Sequence, residues 1–130
     1  MYDHILKVHD EYLAKAQPLP QNASAPGNGR VLCFAGALGS QEVVAQADTD
    51  LALAAGASLG VTLEQRDAGG AWEPLGTVCA LAGPLALAAG AVLGRFIPPS
   101  DTRAETRAVL ASTDPAAQGS LSVYPHYLAR

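Results

Sequence analysis

From Asp50 to Gln65 the chain reads DLALAAGASLGVTLEQ, and its bulky apolar residues are Leu51, Leu53, Leu59, Val61 and Leu63. Every one is at an odd position. Alanine, glycine, serine, threonine and glutamate take the even ones. At 100° per residue these five side chains would scatter around a helix, whereas at 180° they share one face, as in a half-buried strand. The AAGA step breaks the strand, because glycine permits a turn or bulge there.

Ten letters of this stretch return. LALAAGASLG at Leu51–Gly60 and LALAAGAVLG at Leu85–Gly94 share nine of ten letters at a spacing of 34 residues. In the second copy Leu85 and Leu87 are odd while Val92 and Phe96 are even, which predicts two short strands or one bulged strand. A helical repeat with this period needs at least three copies. The uncharged run Pro74–Gly94 is long enough to span a bilayer, since about 20 residues suffice. Its five leucines and two valines supply about −2 to −4 kcal/mol on an insertion scale. Pro84 costs about 3 kcal/mol in a helix and each of four glycines about 1, so the sum is unfavourable. No membrane partner is expected.

Other segments extend the strand reading. Arg30–Gly36 is a short apolar run ended by glycine. DAGG, at Asp67–Gly70, predicts a hairpin joining Val61–Gln65 to Trp72–Leu81. Two prolines in PPSD stop the strand before them. DPAAQG is a turn into SLSVYPHYL, where Leu121, Val123, Pro125 and Tyr127 share a face. Arg103–Thr113 has a helix-favouring composition, but its flanking strands and short turns predict a strand. The chain to about Ala16 reads as a short amphipathic helix or loose arm, and Gln17–Gly29 as an extended connector. The expectation is an all-β, single-domain jelly roll or β-sandwich over residues 30–130, preceded by an arm and connector over residues 1–29.

Composition narrows the core and the partners. The 130 residues are 49% hydrophobic but only 5% aromatic, so leucine, valine and alanine must fill the interior. Charged residues are 15%, which favours a surface spent against partners. A net charge of −4 disfavours wrapping nucleic acid. The N-terminus lacks the apolar stretch of a signal peptide. Cys33 and Cys79 are expected to be reduced, small and buried in a protein made in the cytoplasm.

No motif demands catalysis, a cofactor or a metal. GALGS at Gly36–Ser40 lacks the lysine and spacing of a phosphate loop. His4 and His9 have acidic neighbours, yet a five-residue spacing does not bring two imidazoles to one helix face. His126 has no acidic or nucleophilic neighbour in sequence. Arg103, Glu105 and Arg107 alternate along one strand face, as an exposed ion-paired ladder does or as a protein contact would. Trp72 is either a core residue or an interface anchor. Tyr2 and Tyr12, with the two histidines, are the arm's candidate contact residues.

The pieces LALAAGAVLGRFIPPSDTRAETRAVL and GSLSVYPHYLAR resemble the capsid cement, or head-decoration, proteins of tailed bacteriophages, of the jelly-roll type found on a Bordetella podophage. The likeness runs from Asp48 to Arg130. It falls on the apolar run ending at Gly90, on Ile97 and Pro98, on Arg107–Leu110 and on the glycine-led strand Gly119–Tyr127. This chain has Thr106 and Ala108 where the family often sets an aromatic beside the arginine. The resemblance implies a homodimer or homotrimer on the outer surface of an assembled head, bound to the major capsid protein, with no catalytic residues. A sandwich module that binds a carbohydrate is the alternative, and an enzyme on a jelly roll the least expected.

Overall fold

The computed structural model describes residues 12–33, 41–99 and 102–127. Ten strands lie within them: β1 (Ala14–Pro18), β2 (Ala23–Pro26), β3 (Gln41–Ala47), β4 (Leu51–Leu53), β5 (Ser58–Arg66), β6 (Glu73–Ala82), β7 (Leu85–Leu87), β8 (Val92–Phe96), β9 (Glu105–Ser112) and β10 (Ser120–Tyr127). One sheet has the order β1-β10-β3-β8, the other β2-β9-β5-β6, and β4 pairs with β7 at a corner. Every pairing between these strands is antiparallel. Counting β4–β5 and β7–β8 each as one bent strand gives 1-8-3-6 over 2-7-4-5. That is the strand order of a jelly roll, two interleaved Greek keys.

The bulky odd-numbered residues from Leu51 to Leu63 all face inward. Leu51, Leu53, Leu59, Val61 and Leu63 are at most 5% exposed. They meet Val43, Ala45, Leu121 and Val123 of the opposite sheet in one cluster with Ala108, Leu110, Val78 and Cys79. Among the described residues only Phe96 brings an aromatic ring to its margin. The interior is therefore the fine-grained leucine, valine and alanine packing that the composition required.

The repeat pairs with itself. Leu51 lies opposite Leu87, Ala52 opposite Ala86 and Leu53 opposite Leu85, a register that is two-fold symmetric about the two central alanines. Each copy then turns in the same way. Ala57 N–H donates to Ala54 O, and Ala91 N–H to Ala88 O, both at 3.1 Å. Gly56 (φ 81°) and Gly90 (φ 91°) supply the left-handed residue that the turn needs. From this corner β5 enters one sheet and β8 the other.

Both long seams of the sandwich are closed. Between β6 and β8, a Cβ on Gly94 would drive into Val78 O and lie 2.7 Å from Cys79 Cβ, and one on Gly76 would overlap the Phe96 ring. Between β1 and β2, the Gln17 amide donates to Pro26 O at 3.1 Å and accepts from Asn28 N–H at 2.8 Å.

Two expectations need correction here. The segment Ala14–Pro26, read as part of an arm and connector, is built into the sheets: β1 pairs with β10 and β2 with β9. Leu13 and Ala14 are buried in the core, so the arm cannot extend to residue 29. Prolines 18 and 26 are tolerated because β1 and β2 are edge strands. Strands this short, with few large apolar residues, give almost no period to detect. Cys79 is buried as expected, but Cys33 is exposed; the two are not joined.

Arg30–Gly36, read with the strands, shows only an isolated bridge from Leu32 to Thr106 among its described residues, and the strand readings from Leu51 onward hold. The β5–β6 hairpin turns at Asp67–Gly70, with Gly70 N–H donating to Asp67 O at 2.8 Å and Gly69 at φ 76°. Arg103–Thr113 contains β9, whose Thr106, Ala108, Leu110 and Ser112 point inward. Its place between β2 and β5 overrides a helix-favouring composition. Among the described residues no helix is long and apolar enough to cross a membrane. Gly36–Ser40, and the amphipathic reading of residues 1–11, lie outside the described residues.

Candidate functional site

The strongest cluster of polar side chains grows from the register of β5 against β9. Glu64 lies opposite Arg107 and Arg66 opposite Glu105, so each acid faces a base across the ladder. Arg66 Nε donates to Glu105 Oε1 at 2.6 Å. Arg107 places Nε and Nη2 at 2.8 and 2.7 Å from Glu64 Oε1. The hairpin turn then carries Trp72 back beside them, with the Arg66 and Arg107 guanidinium carbons 4.3 and 4.4 Å from its ring centre. Each cation–π contact of this kind is worth roughly 0.5–2 kcal/mol, and each half-exposed ion pair up to about 1.

Trp72 is thus not a core residue. It is half-buried, seated on two arginines at the outer surface of the second sheet. Arg103 lies before β9 and bonds elsewhere, to Asp67 at 2.8 Å and to Glu73, with its main-chain N–H donating to Gln65 Oε1 at 3.0 Å. The hydrogen bond and charge of Glu73, followed by Asp67, raise its guanidinium above an already high pKa. The expected ladder therefore exists for Glu105 and Arg107, with Arg103 displaced to the hairpin turn. Glu64, Arg66, Asp67 and Glu73 complete it. The run LEQRD, continuing the alternation of β5 with charged side chains, was the signal for the first three.

Tyr12 belongs to another cluster, on the outer face of the first sheet. Its ring packs on Tyr124 at 5.6 Å between centres, and the Lys15 ammonium lies 5.4 Å over it. Burial first, and the charge of Asp48 second, raise the Tyr12 pKa. Tyr124 in turn donates its hydroxyl to Gln46 Oε1 at 2.8 Å. Farther along the sheet, Glu42 accepts from Arg95 at 2.6 Å and lies 3.5 Å from His126 Nδ1. His126 thus has an acidic partner brought by β3, which sequence adjacency could not reveal. Tyr2, His4 and His9 lie outside the described residues. Among the described residues no three histidine, cysteine or acidic side chains are grouped to hold a metal ion.

The corner at the opposite end of β5 is different. Ala52, Ala54, Ala55 and Gly56 from the first copy, and Ala86, Ala88, Ala89 and Gly90 from the second, are exposed. Pro84 and Val92 extend the same surface, Val92 at 47% exposure. The acids that reach this corner are engaged with its backbone: Asp50 accepts from Ala89 N–H at 2.9 Å, and buried Asp114 from Ala54 N–H at 2.8 Å. One end of the sandwich is charged and hydrogen-bonded, and the other is built of small apolar residues whose backbone holds the carboxylates of Asp50 and Asp114. About 30 Å of strand separates them.

No protein-family model, curated protein or solved structure matches this chain.

Proposed function

We propose that this chain is a structural protein of a phage particle, a jelly roll that seats on the outside of an assembled head and cements neighbouring major capsid protein subunits. The observation that carries this reading is the exposed corner of alanine and glycine built by the two repeat copies. Exposed apolar surface of this kind marks an interaction site. Alanine and glycine lose little side-chain entropy on contact and let two backbones approach closely. The likeness of residues 48–130 to the cement proteins supports the same reading. A homodimer or homotrimer would engage several shell subunits at once, so modest contacts would multiply.

The test is to add the purified chain to expanded, undecorated heads of the phage that encodes it, then measure co-sedimentation and the temperature of head disruption. Binding only the assembled lattice stabilises it by mass action, so decorated heads should resist more heat. Ala55→Arg and Ala89→Arg, at the two exposed corner turns, should leave a folded protein that decorates poorly. Arg103→Ala, at the charged end, should decorate normally. The arm is tested by a deletion ending at residue 11, because removal through Ala16 would take Leu13 and Ala14 from the core. Heads that bind none of the full-length protein would overturn the proposal.

A further inference from the structure

At the charged end, beside the turn that carries Arg103, a cavity of about 590 Å³ opens to solvent. Gln65, Asp67, Arg103 and Thr102 contribute its polar wall, and Leu75 and Pro99 its apolar one. Its volume is that of a small-molecule site, apolar surface with a few converging polar groups. The polar groups are only partly used within the protein. Gln65 Oε1 accepts from Arg103 N–H, which leaves the amide Nε2 as a donor without a partner among the described residues. Asp67 Oδ2 holds Arg103, which leaves Oδ1 to accept. The Thr106 hydroxyl, which does not line the cavity, is fully buried and has no hydrogen-bond partner among the described residues. Its backbone is bonded to Leu32 and lies opposite Gln65. A buried hydroxyl left so is costly unless a water or a ligand reaches it.

The charge pattern selects the ligand class. Arg103 is already held by two carboxylates, Asp67 and Glu73, so the mouth carries a formal charge of −1 and repels an anion. A carboxylate oxygen that only accepts, beside an amide that donates, matches neighbouring hydroxyls on one ring. Leu75 and Pro99 offer an apolar surface to the C–H face of such a ring. We propose that this cavity binds a neutral sugar, one pyranose ring of which enters it. The site is independent of the head-binding corner.

The experiment is an amide NMR titration of the full-length protein with methyl glycosides of glucose, galactose and mannose, extended through the millimolar range. At least one glycoside should shift the resonances of Gln65, Asp67 and Arg103 in a saturable way. Asp67→Ala and Gln65→Ala, checked as folded by circular dichroism, should each weaken that binding about tenfold, as loss of one hydrogen bond does. Trp72→Ala lies outside the cavity and should bind as the parent does. Absence of saturable shifts with all three glycosides would overturn the proposal. So would shifts confined to the Trp72 surface, or binding unchanged in both cavity variants. None of these outcomes bears on decoration of heads.

Discussion

Two segments with nearly the same ten letters meet different surroundings in this protein. The first copy, Leu51–Gly60, leads into β5, which lies between β9 and β6, and its Leu51, Leu53 and Leu59 are sealed in the core. The second, Leu85–Gly94, leads into β8 at a sheet edge, and its Leu85, Leu87 and Leu93 are only half-buried. Turn and register are the same in both, including the left-handed glycine and the self-pairing of the two LAL triplets. What differs is what comes to rest on them. Local geometry follows the letters, but burial follows the neighbours, and the two glycines that end the copies show it best. Gly60 has open space where a Cβ would go, whereas Gly94 is pressed against Val78 O and Cys79 Cβ.

The sharpest way to break this comparison is a charge in the strand that continues the first copy. Val61→Asp buries an unpaired carboxylate and should cost about 4–5 kcal/mol or prevent folding, by urea denaturation. Ser58→Asp, on the exposed face of the same strand, should cost about 1 kcal/mol or less, chiefly through loss of its hydroxyl contact with Thr113. Equal losses would mean that β5 does not separate its two faces.

Next in size is the glycine pair. Gly94→Ala should lower stability by about 2–4 kcal/mol, because the β6–β8 seam must open to admit a methyl group. Gly60→Ala should be neutral or slightly stabilising, since alanine in a strand avoids glycine's roughly 0.5–1 kcal/mol entropic penalty. A reversed order in thermal melts would contradict the closed seam.

Cys79 ties the two segments together, lying opposite Val61 and against Gly94. Burial, only partly offset by a backbone hydrogen bond from Val61, pushes its thiol up to about 11 from 9.0. The folded state therefore retains this proton where the unfolded chain releases it. Its contribution is complete below pH 9 and is lost progressively between about pH 9 and 11, on the order of 2 kcal/mol. Cys79→Ala should flatten that alkaline decline in a pH series of denaturation curves.

The smallest effect tests where the copies agree. Gly56→Ala and Gly90→Ala each place a Cβ at positive φ with no steric neighbour. Both should cost about 1 kcal/mol, and equally. A large inequality would show that the two turns are not equivalent.

The alternation of Leu51–Leu63 determined the strand and its buried face, and DAGG the hairpin after it, because a period of two and a turn signal are local properties. The repeat predicted a break at the same place in both copies, as two short strands or one bulged strand, for the same reason. The alternation of Arg103, Glu105 and Arg107 showed a ladder, but not which acid meets which base, since that depends on the register of β9 against β5. Only the tertiary structure could make strands of Ala14–Pro18 and Ala23–Pro26, whose few apolar residues acquire a period only when β10 and β9 lie beside them. Only it could seat Trp72 on two arginines, give His126 the carboxylate of Glu42, and crowd Gly94 while leaving Gly60 open. Each of these joins residues far apart in the chain. The letters carry the periodicity of one strand, whereas such contacts exist only once two sheets have closed on each other.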